Sequence, residues 1–279
     1  MLTMHDGRRA CLASLVYAVV LIAPLASCTQ PDAQAQSQAP APRAYRVFAS
    51  QLAEPRGLLI APDGVMYVAE QRSGAVARID ADGKITRIAQ GLQSPHDLAR
   101  DAAGNLYVAE TGADRVAKID RSGAVTTFIA DLESPVDLDF APDGELWVCE
   151  LTGKVRAFSP QGRSRDIAEL KGPHGLAFGA GGTTYINDWR GNKVVKLEAG
   201  QIRPFADVAG PVGVAIGPSG DIYVAQPQAH RMSRITPAGQ ASEFARELNE
   251  PRDPVFDRQG NLYIAETLAG RILVFSGKL

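Results

Sequence analysis

From residue 44 onward the chain repeats itself about every forty residues, and that period constrains the fold more than any other feature. Its markers are Pro55, Pro95, Pro135, Pro173, Pro211 and Pro251, spaced 40, 40, 38, 38 and 40 residues apart. Each proline opens a short apolar strand. A glycine turn follows, then a second strand: VMYVAE, NLYVAE, ELWVCE, TTYIND, DIYVAQ and NLYIAE in successive repeats. A third strand such as AVARID or RVAKID, another glycine turn, and a fourth strand such as ITRIA or VTTFIA complete the unit. Several of the turns are Asp-Gly or Ser-Gly, pairs that supply the positive φ of tight hairpins. Two hairpin turns per period make a four-stranded meander, whereas helical repeats of similar length would need a 3.6-residue periodicity that is absent. The expected class is all-β: a six-bladed β-propeller of four-stranded antiparallel blades.

The ends of the repeat region suggest how the ring closes. The last repeat stops at Leu279, just past its final turn, and lacks a fourth strand. Arg46-Val47-Phe48-Ala49 resembles that strand, as in Pro204-Phe205-Ala206 and Glu243-Phe244-Ala245. An N-terminal strand is therefore expected to close the ring of a domain spanning 44–279, with Val47 and Phe48 buried and no open edge left.

The residues before the repeats read as export and attachment. Arg8 and Arg9 precede an apolar stretch from Cys11 to Ala26, short for a membrane span, so 1–27 is expected to be a signal peptide. It ends in Leu25-Ala26-Ser27-Cys28, which resembles a bacterial lipobox. The resemblance implies acylation of Cys28; ordinary cleavage near Ala26, with Cys28 a bystander, is the alternative. Thr29, where an inner-membrane lipoprotein would carry Asp, implies the outer membrane facing the periplasm if the host is Gram-negative. The stretch 28–43, rich in Gln, Ala, Pro and Ser, then forms a lipidated cysteine and flexible tether. Cys149 is the one cysteine of the propeller, so no disulfide is available there.

A formal net charge of −2 with 22% charged residues gives no basic excess, which argues against a nucleic-acid partner. The expected partners are a small molecule, peptide or protein at the mouth of the central channel, with the membrane met only through the lipid anchor and the chain a monomer.

PHDLARDAAGNLYVAETGADRVAKID and PRDPVFDRQGNLYIAETLAGRILVF resemble NHL repeats, and the resemblance spans 44–279. Related groups are streptogramin B lyase, the peptide-amidating lyase and the gluconolactonase-like propellers. It implies the fold strongly and the function weakly.

Two positions in each repeat are expected at the ligand-binding mouth: the residue after the proline, and the residue fourteen further on. They are Arg56 and Glu70, His96 and Glu110, Val136 and Glu150, His174 and Asp188, Val212 and Gln226, Arg252 and Glu266. Each acid either caps backbone amides of a neighbouring loop or faces the channel as a cation ligand. In the amidating lyase, post-proline histidines on alternate blades hold zinc. His96 and His174 match two of these, but Arg252 stands at the third and cannot ligate a metal. In streptogramin B lyase a post-proline histidine and an acid fourteen residues on serve a magnesium-assisted elimination. His174 with Asp188, followed by Trp189 and GNKVVKL, resembles that blade, and His96 with Glu110 has the same spacing. The resemblance thus implies His96 and His174 as catalytic residues, with Glu110 and Asp188 completing a divalent-cation site for calcium, magnesium or zinc. The gluconolactonase match rests on Glu54-Pro55 alone. Arg56 and Arg252 become neighbours on ring closure and could clamp a carboxylate, unless each pairs within its blade with Glu70 or Glu266. Trp189 could stack on a ligand; Trp147 and Cys149 read as core. Two functions stand side by side: a recognition module, and a metal-dependent lyase or hydrolase.

Overall fold

The computed structural model describes residues 43–277 and 279. The expected signal peptide over 1–27, Cys28 and all of the expected tether except Arg43 lie outside the described residues. Within them the chain forms six four-stranded antiparallel sheets. β1 (Arg46–Ala49) comes first, and the first complete blade follows as β2 (Pro55–Ile60), β3 (Met66–Glu70), β4 (Ala75–Ile79) and β5 (Ile85–Gln90). The next four blades span 95–129, 135–169, 173–207 and 214–245. The last contains β22 (Pro251–Phe256), β23 (Leu262–Glu266) and β24 (Arg271–Phe275), with β1 as its outer strand. The described residues contain no α-helix, only single 3-10 turns at Thr111–Ala113, Ala180–Gly182 and Pro227–Ala229.

The sequence explains the blades locally. At the first hairpin the amide of Ala61 donates to Val65 and that of Gly64 to Ala61, with Gly64 at φ 85°. This is a tight turn ended by a left-handed glycine, a geometry that side chains resist. Along the strands, side chains alternate between the two faces of each sheet, and both faces meet a neighbouring blade. Six apolar clusters result, one at each blade-to-blade interface. Val68, Ala77 and Ile79 of the first blade, for example, pack on Ala265, Ile272 and Val274 of the last, all with 1% exposure or less. Burying an aliphatic side chain this fully contributes about 1.5–3 kcal/mol. The core is therefore a ring of six seams, with no central core of its own.

Ring closure follows the expected route: β1 pairs antiparallel with β24, Arg46 opposite Val274 and Val47 opposite Leu273. One detail is corrected. Val47 is 45% exposed, because its side chain lies on the outer face of the outermost strand. Phe48 and Ala49 supply the packing instead. Phe48 meets Tyr263 edge-on at 5.1 Å, Ala49 is buried, and Leu52 just beyond is 3% exposed.

The inner strands β2, β6 (Pro95–Arg100), β10 (Pro135–Phe140), β14 (Pro173–Phe178), β18 (Val214–Ile216) and β22 stand side by side around the axis, and β22 returns to β2. Five of the six share an irregularity that builds the site. Pro55 pairs with Glu70 and Leu58 with Val68, three steps on one strand against two on the other. The same slip follows Pro95, Pro135, Pro173 and Pro251. Each is a β-bulge, which re-aims the side chains it carries.

Candidate functional site

The bulges turn the residue after their proline toward the axis, and Val212 after Pro211 reaches the same place. At one end of the channel Arg56, His96, Val136, His174, Val212 and Arg252 converge, with Gly57, Asp97, Asp137, Gly213 and Asp253 beneath them. The cavity between them is ≈ 20 Å³, room for about one water. The opposite mouth, below the aspartates, is far wider at ≈ 370 Å³ and lined largely by apolar residues including Phe140, Phe178 and Phe256.

All six post-proline residues therefore meet, and the two histidines and two arginines meet one another. The rings of His96 and His174 lie 5.2 Å apart, and His174 is 6% exposed. Burial, then the charge of Arg252, pushes His174 down to about 3. His96 is held well below its ordinary value by burial and by His174, Arg56 and Arg252. Both imidazoles are neutral at physiological pH. Arg56 is pushed down to about 10, first by burial and then by repulsion from Arg252. The Nε atoms of both arginines are buried without a hydrogen-bond partner. Arg252 has a loose ion pair with Glu250 at 3.5 Å. Neither arginine pairs with the acid of its own blade: Glu70 is taken by Arg87 and Glu266 by Arg271.

The ring of acids is corrected. Glu70, Glu110, Glu150 and Glu266 are at most 1% exposed and Asp188 is 4% exposed, and none lines the mouth. Each is opposite the proline, on the far side of the bulge from the residue that turns inward. Each instead ties down the loop that enters its own blade. Ala53 donates its amide to Glu70 at 2.8 Å, Gln93 to Glu110 at 2.6 Å, Glu133 to Glu150 at 2.6 Å, Gly172 to Asp188 at 2.9 Å and Asn249 to Glu266 at 2.7 Å. Arg87, Arg115, Arg156 and Arg271 complete the four glutamates. Gln226 does the same with its amide, donating to the carbonyl of Ala209 at 2.8 Å. Glu70 and Glu266 are thus not ligand contacts at the mouth. Nor do Glu110 and Asp188 join His96 and His174 in a cation site. Among the described residues no group of three or more His, Cys, Asp or Glu side chains could hold a metal ion. The histidine pair faces two guanidinium groups, which oppose a cation. The donor set does not fit a divalent metal.

Sequence reasoning missed Asp97, Asp137 and Asp253. They stand two residues after the proline, where the other three repeats have Gly57, Gly175 and Gly213. PHD, PVD and PRD set against PRG, PHG and PVG is the signal that could have revealed them. Each carboxylate accepts an amide from the next inner strand: Asp97 from Leu138 at 3.3 Å, Asp137 from Leu176 at 3.2 Å, Asp253 from Leu58 at 2.8 Å. The glycines mark where strands come closest. A Cβ on Gly57 would stand 2.6 Å from the Cα of Asp97 and one on Gly175 2.2 Å from the carbonyl of Val212. Burial pushes Asp97 up to about 7 and holds Asp137 and Asp253 well above the carboxylate range; repulsion from Asp139 adds to all three, and repulsion from Asp97 adds to the other two.

Trp189 borders the mouth, edge-on to His174 at 6.4 Å. Cys149 is fully buried in the seam between the third and fourth blades, its thiol pushed up by burial, and Trp147 packs there against Phe178. His230 lies in a left-handed turn with Nδ1 3.0 Å from the carbonyl of Leu248.

The comparisons agree with this architecture. A family model described as the virginiamycin B lyase family matches residues 40–158. No curated protein matches the sequence. Among solved structures, the virginiamycin B lyase of Staphylococcus aureus is 19% identical, with 85% of this chain and 88% of that chain covered and a TM-score of 0.64. A gluconolactonase from Xanthomonas campestris is 19% identical over 82% of this chain and 87% of its own, with a TM-score of 0.74. A calcium-binding regucalcin from Agrobacterium tumefaciens is 18% identical over 84% and 94%, with a TM-score of 0.72. At these identities the structural likeness carries the fold.

Proposed function

We propose that this propeller is an envelope-anchored recognition module whose narrow channel mouth receives an anionic group of a small ligand. One observation carries the reading: Arg56 and Arg252 stand together, partly buried and mutually repelling, with their Nε donors unpaired. A carboxylate or phosphate between them would satisfy those donors and cancel the repulsion, through the charge-assisted bonds that guanidinium groups form best. The neutral histidines add N–H donors without adding charge. Burial holds the carboxyls of the aspartates beneath them above the ordinary range, which lessens the negative charge on the cavity floor that would repel such a ligand.

The test is thermal unfolding with acetate or phosphate as probe, beside the double variant Arg56→Gln/Arg252→Gln. At a hundredfold excess over Kd, an anion bound only by the folded state should raise the wild-type melting temperature by about 5 °C or more. The double variant should melt no lower than wild type and show no anion shift. A wild type indifferent to both anions would overturn the reading.

A second reading, a lyase or hydrolase, draws support from the family match over 40–158 and from the paired neutral histidines. His96 or His174 would then serve as a general base toward a ligand held by the arginines. Recovering bound ligand chemically changed, in a manner lost in His174→Ala, would favour it; ligand recovered intact favours the recognition module.

A further inference from the structure

Blade four departs from the repeat just after its second strand. The residue following the capping acid or amide is Gln71, Thr111, Leu151, Pro227 or Thr267 in the other blades, and Trp189 here. In two blades this position is a stitch: Thr111 donates to the carbonyl of Pro135 at 2.6 Å, and Thr267 to that of Pro55 at 2.9 Å. A tryptophan cannot make that bond, and Trp189 belongs to none of the six apolar seams. Its indole instead walls an open cleft of ≈ 480 Å³ between blades four and five, shared with Asn192, Gly210 and Gln228.

The cleft is polar in a specific way. The Oδ1 of Asn192 accepts the amide of Gly210 at 2.9 Å, which leaves its NH₂ group to spare. The carboxamide of Gln228, exposed on the 3-10 turn Pro227–Ala229, has no hydrogen-bond partner among the described residues. Gly210 keeps the space open, since a Cβ there would come within 3.0 Å of Gln228 Oε1 and 3.8 Å of the indole Nε1. The cleft lies beside the mouth, for its indole wall and the His174 ring of the mouth are edge to face with centroids 6.4 Å apart. The guanidinium of Arg190 sits 5.6 Å from the indole centroid, on an exposed side chain that can swing aside.

We propose that Trp189, Asn192 and Gln228 form a subsite for a pyranose ring, so that the ligand of the mouth is a uronic acid with its carboxylate at Arg56 and Arg252. The inference rests on the anion-binding reading of the mouth and names its substrate class. An indole face suits the C–H face of a sugar ring, while side-chain amides suit its hydroxyls as both donors and acceptors. A flat aromatic acid would use the indole equally well but would desolvate the two amides and leave them without partners, which is unfavourable. An aliphatic acid would use neither.

Calorimetric titration of the whole propeller with glucuronate, acetate, benzoate and glucose tests this. Glucuronate should bind at least ten times more tightly than acetate, and glucose, lacking the carboxylate, should not bind measurably. Trp189→Ala should bring glucuronate down to the level of acetate and leave acetate itself unchanged. Gln228→Ala, which removes an exposed side chain, should weaken glucuronate several-fold and acetate not at all. Equal binding of acetate and glucuronate by wild type would overturn the sugar subsite and leave the anionic mouth standing. Benzoate binding more tightly than glucuronate would overturn it in favour of an aromatic acid. No binding by any of the acids would sink the mouth and the subsite together.

Discussion

Asp97, Asp137 and Asp253 have no ion-pair partner among the described residues, and that gives stability an uncommon pH dependence. With its carboxyl pushed up to about 7 from 3.8, Asp97 keeps a proton in the native state between those values while the unfolded chain has lost it. The native state then binds more protons than the unfolded one, so stability falls as pH rises through that window. At about 1.4 kcal/mol per unit, a rise of some three units amounts to at most ~4 kcal/mol by neutral pH. Asp97→Asn keeps an oxygen for the amide of Leu138 and cannot ionise. Its melting temperature should match wild type near pH 3, below both values, and exceed it by several degrees at pH 8, at ~2–4 °C per kcal/mol for a domain of this size. Calorimetry across that range checks it. Parallel pH profiles for the two proteins would mean that Asp97 is already ionised at neutral pH.

At the scale of elements, the bulge and β1 (Arg46–Ala49) show what the repeat pattern could and could not convey. Strand order, turn positions and the closing strand all follow from period and alternation, because each depends only on local backbone geometry and on which face is apolar. The bulge does not. It inserts no residue type of its own, yet it sends Arg56 toward the axis while Glu70, its supposed companion, turns back to bind Ala53 and Arg87. A constant spacing of fourteen residues therefore marks two positions at one end of the blade and is silent about which of them faces the channel. For β1 the energetics are clearer. Deleting 44–49 strips Phe48 from Tyr263, removes buried Ala49 and leaves β24 as an unpaired edge. The melting temperature should fall by more than about 5 °C, since the half-buried Phe48 and buried Ala49 together are worth roughly 2–3 kcal/mol before the strand pairing is counted. Deleting 29–42, which stops short of the Arg43 guanidinium stacked 4.5 Å over Phe244, should change it hardly at all. Val47→Ser, at an exposed position, should be equally quiet. Comparable losses from the two deletions would place ring closure elsewhere.

Taken whole, the molecule divides into a fold legible from repetition and a site legible only where repetition breaks. His96, His174, Arg56, Arg252 and Trp189 could be singled out because they depart from their counterparts in other blades. The three aspartates escaped because half the repeats carry them and half carry glycine, which blurs into the background of a turn-rich sequence. The same division bears on anchoring. The packing at the closing strand begins at Arg43 and Tyr45, which lie against Phe244 and Phe275, and the six apolar seams are built from residues 48–279, so loss of an anchor at Cys28 should leave folding intact. A single acyl chain holds a protein to a bilayer only marginally, whereas two or more hold it stably, so lipidation at Cys28 would decide the protein's whereabouts outright. With the signal sequence left intact in a Gram-negative host, Cys28→Ala should move the protein from the membrane fraction to the soluble periplasmic fraction. Its melting temperature should stay within about 1 °C of the wild-type value, as for a substitution remote from any packed seam. Mass spectrometry of the wild-type N-terminal peptide should show acyl groups on Cys28. A variant that stays with the membrane, or a wild-type peptide that begins near Ser27 without lipid, would mean that ordinary cleavage operates and that the propeller reaches its ligand as a free periplasmic protein.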